Sequence, residues 1–384
     1  MRNFGNQVQF TVYQQLEKNL VPVSYEELEA RAKEELEAKP FDYVAASAGI
    51  EDTARENNLA FRKWKIVPRM LRDTSDRDIG IELFGRKLNV PLLLAPIGVQ
   101  SIVHPEGEIA SARAAASMGV PFIASTASTY SLEKISEATE GAEKWFQLYW
   151  SNDHELAASM VKRAESAGYG AIVITLDTPM MGWREKDIHH AYLPFLEAKG
   201  IGNYLEDPVF RSRLERSPEE DIRSAIMHWA QIFGNPSLTW RDLEFIRSQT
   251  NLPILLKGVL HPDDARLAVE SGVDGLIVSN HGGRQVDGSI PAVDALPDVV
   301  DIVQGDIPVL MDSGIRRGAD IVKALSLGAS AVLLGRPYMY GLALAGEAGV
   351  RQVLRNLIAD FDLTMALSGS RSVDGLGRDL LKKV

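Results

Sequence analysis

The segment Ser279-Asn280-His281-Gly282-Gly283-Arg284-Gln285 sets a proton acceptor and an anion clamp three positions apart. Histidine titrates near neutrality, so His281 can take a proton from a hydroxyl-bearing carbon centre. Arg284 carries a planar fork that grips a carboxylate through two parallel hydrogen bonds. Together they suit a small hydroxy acid. Gly282 and Gly283 have no packing role in a helix, and they permit close approach to a flat ligand. The competing reading, a core histidine beside a surface arginine, leaves those glycines unexplained.

A second constellation points to phosphate. The stretches Asp312-Ser313-Gly314-Ile315-Arg316-Arg317-Gly318 and Gly335-Arg336-Pro337 each follow an apolar run. Backbone N–H groups at a helix start bind anions, Gly314 lets the backbone come close, and Arg336 adds charge. Other polar residues also stand where apolar runs end: Ser125, Gln147, Tyr149, Thr175, Asp177 and Lys257. Arg184, Lys257, Arg284, Arg316 and Arg336 gather at these ends in a chain whose net charge is −11, so anionic ligands are expected there.

The elements that must hold these residues repeat along the chain. Short apolar runs occur at 91–95, 121–124, 145–149, 171–176, 253–256, 275–278, 308–311 and 331–334. Continuous runs of this kind suit strands buried on both faces of a parallel sheet. Helical patterns lie between them, at 107–117, 155–167, 262–271 and 318–327, and several end at a glycine (Gly119, Gly168, Gly272, Gly328). Eight such units predict an α/β fold, the (β/α)8 TIM barrel, with its functional face at the C-terminal ends of the strands. The whole chain, 1–384, reads as a single domain with two additions. Residues 1–90 form an N-terminal helical extension, with helices over 24–38 and 52–64. A connection far longer than the usual ~2–6 residues follows strand 4, and its 188–240 portion reads as a lid-like insertion.

Composition excludes several classes. A chain this acidic repels nucleic acid, so no such partner is expected. The absence of cysteine removes disulfides, thiolate metal sites and a thiol nucleophile, and agrees with a reducing cytoplasm. No metal site is expected. Neither a signal-peptide pattern nor an apolar run of membrane-spanning length is present, so no membrane partner is expected, and the predicted location is the cytoplasm.

From Tyr43 to the C-terminal helices, and most specifically in SNHGGRQ, the sequence resembles the FMN-dependent α-hydroxy-acid oxidising family. The resemblance implies FMN on the catalytic rim, a small 2-hydroxy acid and dioxygen as reaction partners, and a homotetramer or homo-octamer. It implies that His281 is the base, that Asp177 stabilises its imidazolium, and that Arg184 and Arg284 hold the substrate carboxylate with help from Tyr43. Tyr149 is implied at the substrate oxygen and Lys257 at the pyrimidine edge of the flavin. Pro96, Ile97, Gly98, Ser125, Gln147, Thr175 and Ser279 match flavin-contacting positions. Asp312, Ser313, Gly314, Arg316, Gly335 and Arg336 match the ribityl and phosphate grip. Gly98 stands where the oxidase branches carry alanine, and Ala127 where the plant branch carries a bulky aromatic. The insertion, with Asn203-Tyr204 and Asp207-Pro208-Val209-Phe210, is most similar to the lactate 2-monooxygenase branch, and it lacks a sustained apolar face.

The activity expected is therefore oxidation of small L-2-hydroxy acids, with the lactate 2-monooxygenase outcome, L-lactate and dioxygen to acetate, carbon dioxide and water, placed ahead of the oxidase outcome. In the monooxygenase outcome the lid retains pyruvate and peroxide, and acetate, carbon dioxide and water leave. Room beside Gly98 for oxygen or peroxide is part of that expectation. In the oxidase outcome the 2-oxo acid and hydrogen peroxide leave separately. Two other classes compete: a phosphate-binding aldolase with Lys257 as Schiff-base lysine, and a non-catalytic flavin-binding protein. The first leaves SNHGGRQ unexplained, and the second has no need of Arg184, His281 and Arg284.

Overall fold

The eight apolar runs become eight parallel strands: β1 (Leu92–Leu94), β2 (Phe122–Ser125), β3 (Lys144–Leu148), β4 (Ile172–Thr175), β5 (Ile254–Val259), β6 (Gly275–Val278), β7 (Val309–Met311) and β8 (Ala331–Leu334). They close into a barrel in which β8 returns to β1, with Val332, Leu333 and Leu334 in register with Leu92, Leu93 and Leu94. The expected (β/α)8 architecture is present in the computed structural model, which describes residues 3–16 and 18–384. Side chains alternate across each strand, yet both faces are dry. Leu93, Ile123, Val173, Leu255, Ile277 and Leu333 fill the barrel. Leu92, Leu94, Phe122, Ile172 and Ile174 pack beneath the surrounding helices. Burial on both sides is why the strands read as unbroken apolar runs.

The outer ring includes the helices Gly107–Ser117, His154–Ser166, Pro262–Glu270 and Gly318–Ser326, each within about a residue of its expected limits. The long C-terminal helix Arg336–Leu367 starts at the end of β8. Among the described residues no helix is long and apolar enough to cross a membrane.

Among the described residues of 1–90, helices cover the segments expected at 24–38 and 52–64 and end at Arg62, after which short strands take over. Trp64–Ile66 then pairs antiparallel with Leu381–Lys383, tying the segment before the barrel to the one after it. A hairpin of Ile81–Leu83 with Arg86–Leu88 follows, turning through Phe84 and Gly85, both left-handed as tight hairpins require. Leu83 and Leu88 join the interior cluster, and Phe84 lies 5.7 Å from Trp145. This hairpin plugs the N-terminal end of the barrel. Strands of three residues are too short to leave a periodic pattern.

The connection between β4 and β5 also differs from expectation, because it does carry an apolar face. The helix Ile222–Ile232 buries Ala225, Ile226, Trp229 and Ile232. Trp229 stacks on Phe195 at 4.6 Å, and Tyr204 meets Phe210 at 5.7 Å. Two fully buried polar residues fasten this unit to the barrel. Asn203 donates to the carbonyls of Ser125 (3.0 Å) and Thr126 (3.1 Å), and Asp207 accepts from Arg163 and Ser159 at 2.8 Å each. The helix is only eleven residues long, so its apolar face, although regular, is short within the insertion.

Candidate active site

Strand ends converge on one cavity of about 990 Å3, counting the solvent at its mouth. Tyr43, Pro96, Ile97, Gly98, Tyr149, Arg184, Lys257, His281, Arg284, Asp312, Ser313, Gly314, Arg316, Gly335 and Arg336 line it, all sequence-predicted. The remaining predicted residues stand behind the wall. Asp177 contacts His281. Ser125, Gln147 and Thr175 form a buried chain across β2, β3 and β4, in which Ser125 donates to Gln147 (2.9 Å) and Gln147 donates to Thr175 (3.0 Å). Ser279 accepts from Lys257 at 2.9 Å.

His281 follows β6 with φ +58, a conformation few non-glycine residues adopt. Its backbone N–H donates to Ser279, and its Nδ1 lies 2.8 Å from Asp177 Oδ1. With Nδ1–H directed at that carboxylate, Nε2 is left as the acceptor, 3.4 Å from the Tyr149 hydroxyl. Burial drives the His281 pKa below its ordinary value and outweighs the opposing pull of Asp177. The imidazole is therefore neutral at neutral pH and able to take a proton. Burial alone would raise the Asp177 carboxyl, but His281, Lys257 and Thr178 overcome it and hold the group lowered and ionised. Asp177 Oδ2 is buried without a hydrogen-bond partner, so the charge is kept for the imidazole.

The guanidiniums are held mainly by dipoles rather than by counter-charges. Arg284 donates to the carbonyls of Tyr43 and Ala46, both at 2.8 Å, and lies over the Tyr43 ring. Arg336 donates to the carbonyls of Val44, Gly282 and Ala46 and to the Ser47 hydroxyl. Arg316 stacks on Tyr25 at 4.5 Å, and its Nε is buried without a partner. Burial, with Arg184 and Arg336 nearby, pushes Arg284 down to about 9, and burial also lowers Arg336. None of these three guanidiniums has a carboxylate within ion-pair distance among the described residues. Arg184 donates to the Arg284 carbonyl and to Gln285, with Asp187 at 3.8 Å. Such a surplus of half-buried cations around one cavity calls for anions from outside the chain.

Lys257 differs. Its Nζ sits 2.9 Å from Asp312 Oδ2, and although burial lowers its pKa, Asp312 and Asp177 raise it further, so the amine stays charged. A Schiff-base lysine needs a depressed pKa. The aldolase alternative fails on this point.

Sequence reasoning missed two kinds of contributor. Gln285 closes the SNHGGRQ segment yet had no expected role. Its Nε2 donates to the Asp177 and Met180 carbonyls, while its Oε1 accepts from Gly182 and Arg184. The carbonyls of Tyr43, Val44 and Ala46 carry no residue-type signal at all. One ground for the monooxygenase outcome is also corrected. A Cβ on Gly98 would meet the Ala127 carbonyl oxygen at 2.5 Å and the Ala127 Cβ at 2.7 Å. The glycine therefore allows two backbones to touch, and the space is filled rather than open to oxygen.

The residues present suit FMN. Arg316, with its unpartnered Nε, and Arg336 at the head of a helix match a phosphate, and the charged Lys257 on the cavity wall matches a ring that gains negative charge. The sequence profile of the FMN-dependent dehydrogenase family matches residues 32–383. An L-lactate oxidase of Lysinibacillus sphaericus is 49% identical over 355 residues, covering 92% of this chain and 91% of that protein. A 2-hydroxyacid oxidase 1 of Homo sapiens is 39% identical, covering 92% and 95%. A solved structure of a mandelate oxidase superposes with a TM-score of 0.84 at 41% identity, covering 94% of this chain and 98% of that one.

Proposed function

The chain belongs to the FMN-dependent dehydrogenase family, and from that premise we propose that it oxidises L-lactate and related small L-2-hydroxy acids to 2-oxo acids, with dioxygen as the electron acceptor. FMN-dependent 2-hydroxy-acid oxidation is the reaction class of the chain. The observation that carries the finer reading is one cavity holding both the His281 Nε2 acceptor, met only by the Tyr149 hydroxyl at 3.4 Å, and the Arg284 guanidinium without a carboxylate.

Bound FMN supplies a two-electron acceptor that dioxygen reoxidises, releasing hydrogen peroxide. Pro96, Ile97, Gly98, Ser125, Gln147, Thr175, Lys257 and Ser279 would hold its ring. Asp312, Ser313, Gly314, Arg316, Gly335 and Arg336 would hold its ribityl phosphate. Arg184 and Arg284 take the substrate carboxylate, with Tyr43 beside them. Tyr149 meets the substrate oxygen. His281 removes a proton at Nε2, and Asp177 stabilises the imidazolium that forms. Lys257 supplies a fixed positive charge near the ring. The overall change is 2-hydroxy acid plus dioxygen to 2-oxo acid plus hydrogen peroxide. Assembly into a homotetramer or homo-octamer belongs to the same proposal.

A second reading keeps pyruvate and peroxide together until they react, as in lactate 2-monooxygenase. It is favoured by the docking of the insertion, whose aromatic residues reach Tyr149 through Phe233. No residue of 188–240 lines the cavity, and Gly98 opens no space, so the releasing outcome is placed first. Turnover of L-lactate under air, with and without catalase, separates the two. Pyruvate and peroxide in equal amounts are expected. Acetate that persists when catalase removes free peroxide would select the second reading, and no lactate consumption by FMN-loaded protein would overturn both.

A further inference from the structure

The Tyr149 hydroxyl has one protein partner among the described residues, His281 Nε2 at 3.4 Å, which is too long to fix its position. Ring packing must therefore do so. One side of the tyrosine stacks on His281, with centroids 6.5 Å apart and planes 27° apart. Phe233 also meets Tyr149, edge-on at 5.5 Å, and is backed by Trp229 at 4.9 Å and Phe195 at 6.1 Å.

Phe233 sits in a turn anchored to two catalytic-rim loops. The Asn152 backbone N–H donates to the Ile232 carbonyl at 3.2 Å, the Asn152 side chain donates to the Gln231 carbonyl, and Asn235 donates to the Ser151 carbonyl. These bonds tie the turn to the loop after β3, which begins at Tyr149. On the other side Gly234, at φ +92, comes so near the Pro179 carbonyl that a Cβ would lie 2.6 Å from its oxygen. Pro179 belongs to the loop after β4, between Asp177 and Arg184. The turn thus bridges the segments that carry the tyrosine, the carboxylate and one arginine, though Phe233 itself lines no part of the cavity.

We infer that Phe233 is a positioning residue for the oxidation, holding the Tyr149 hydroxyl against His281 from within the insertion. On this reading the connection between β4 and β5 takes part in the chemistry as a buttress behind a cavity residue. The inference rests on Tyr149 and His281 acting as proposed above. Misplacing a reacting group by an ångström costs up to about a hundredfold in rate, so a lost ring contact should register in the chemical step.

The test is anaerobic single-turnover reduction of FMN-loaded protein by L-lactate in Phe233→Leu, Tyr149→Phe and the double variant. Phe233→Leu should slow reduction on the order of tenfold. Its affinity for oxalate, read from the flavin absorbance, should stay at the wild-type value, because the arginines are untouched. Phe233→Tyr keeps the ring and should restore the rate. The double variant should be no slower than Tyr149→Phe alone, since neighbours acting through one group are not additive. Phe233→Met serves if leucine leaves the protein unable to retain FMN. Multiplicative losses in the double variant, or wild-type reduction in Phe233→Leu, would overturn the inference. Wild-type reduction in Tyr149→Phe would also end it, while leaving His281 and the arginine pair standing. Failure of the unmodified protein to reduce would instead strike the proposed function.

Discussion

At the N-terminal end of the barrel, Leu83, Leu88, Phe84 and Trp145 close the interior with apolar packing, and of these four only Phe84 is left-handed, in a hairpin turn that favours it. At the C-terminal rim, Val99, His281 and Ser313 are all left-handed, all line the cavity, and none lies in a hairpin. Each such residue costs roughly 1–3 kcal/mol, and the same rim holds Arg284, Arg316 and Arg336 half-buried without counter-ions. The plugged end shows this barrel closed by uncharged leucine and aromatic side chains. Strain and unneutralised charge at the other end are therefore not requirements of the fold. They mark where the chain is arranged for a ligand.

The contrast breaks first at the base. His281→Ala should retain FMN and lose about 10²–10⁴ in the rate of anaerobic reduction by L-lactate, measured by stopped-flow absorbance. Near-normal reduction would make the left-handed histidine a structural feature like Phe84.

Removing a rim cation comes next. Arg284→Ala should cost roughly 2–5 kcal/mol in kcat/KM, and Arg284→Lys should recover only part of it because a point charge lacks the two-pronged geometry. Steady-state kinetics at low lactate give the comparison, and unchanged kcat/KM would remove Arg284 from substrate binding.

A smaller effect comes from pH. Burial lowers the His281 pKa, and the neutral imidazole is the working form. On the acid side the reduction rate should therefore be level around neutral pH and fall only as pH drops below the ordinary histidine value of 6.5. A midpoint above that value would mean that Asp177, rather than burial, dominates the site.

The least effect on chemistry is expected at the plugged end. Leu88→Ala should lower stability by about 2–5 kcal/mol in denaturant unfolding, yet leave the reduction rate of the folded protein unchanged. A large loss of rate would show that the two ends are coupled.

Much of this contrast could be read before any coordinates, and the exceptions share a physical cause. The eight strands were legible because burial on both faces gives unbroken apolar runs, and the charged cavity residues because they stand out at the ends of those runs, whereas Tyr43, Pro96, Ile97 and Gly98 came only through the family resemblance. Asp177 was reachable for the same reason, although it acts from behind His281. The carbonyls that hold Arg284 and Arg336 were not legible, since every residue has one and only the path of the chain through 43–47 aims them. The hairpin at 81–88 was lost because three-residue strands have no measurable period. Gly98 was legible as a glycine and misread as open space, because what fills it is Ala127, far enough away in sequence that only the fold brings it near. Phe233 gave no signal of its own, since an aromatic beside a tyrosine exists only once β3 and the insertion are packed.

The most direct test of the central claim is anaerobic mixing of the unmodified FMN-loaded protein with L-lactate, followed at the flavin absorbance band. The account predicts complete bleaching, one pyruvate per FMN, and much slower reaction with D-lactate. A flavin that stays oxidised in excess L-lactate and other small L-2-hydroxy acids would contradict it.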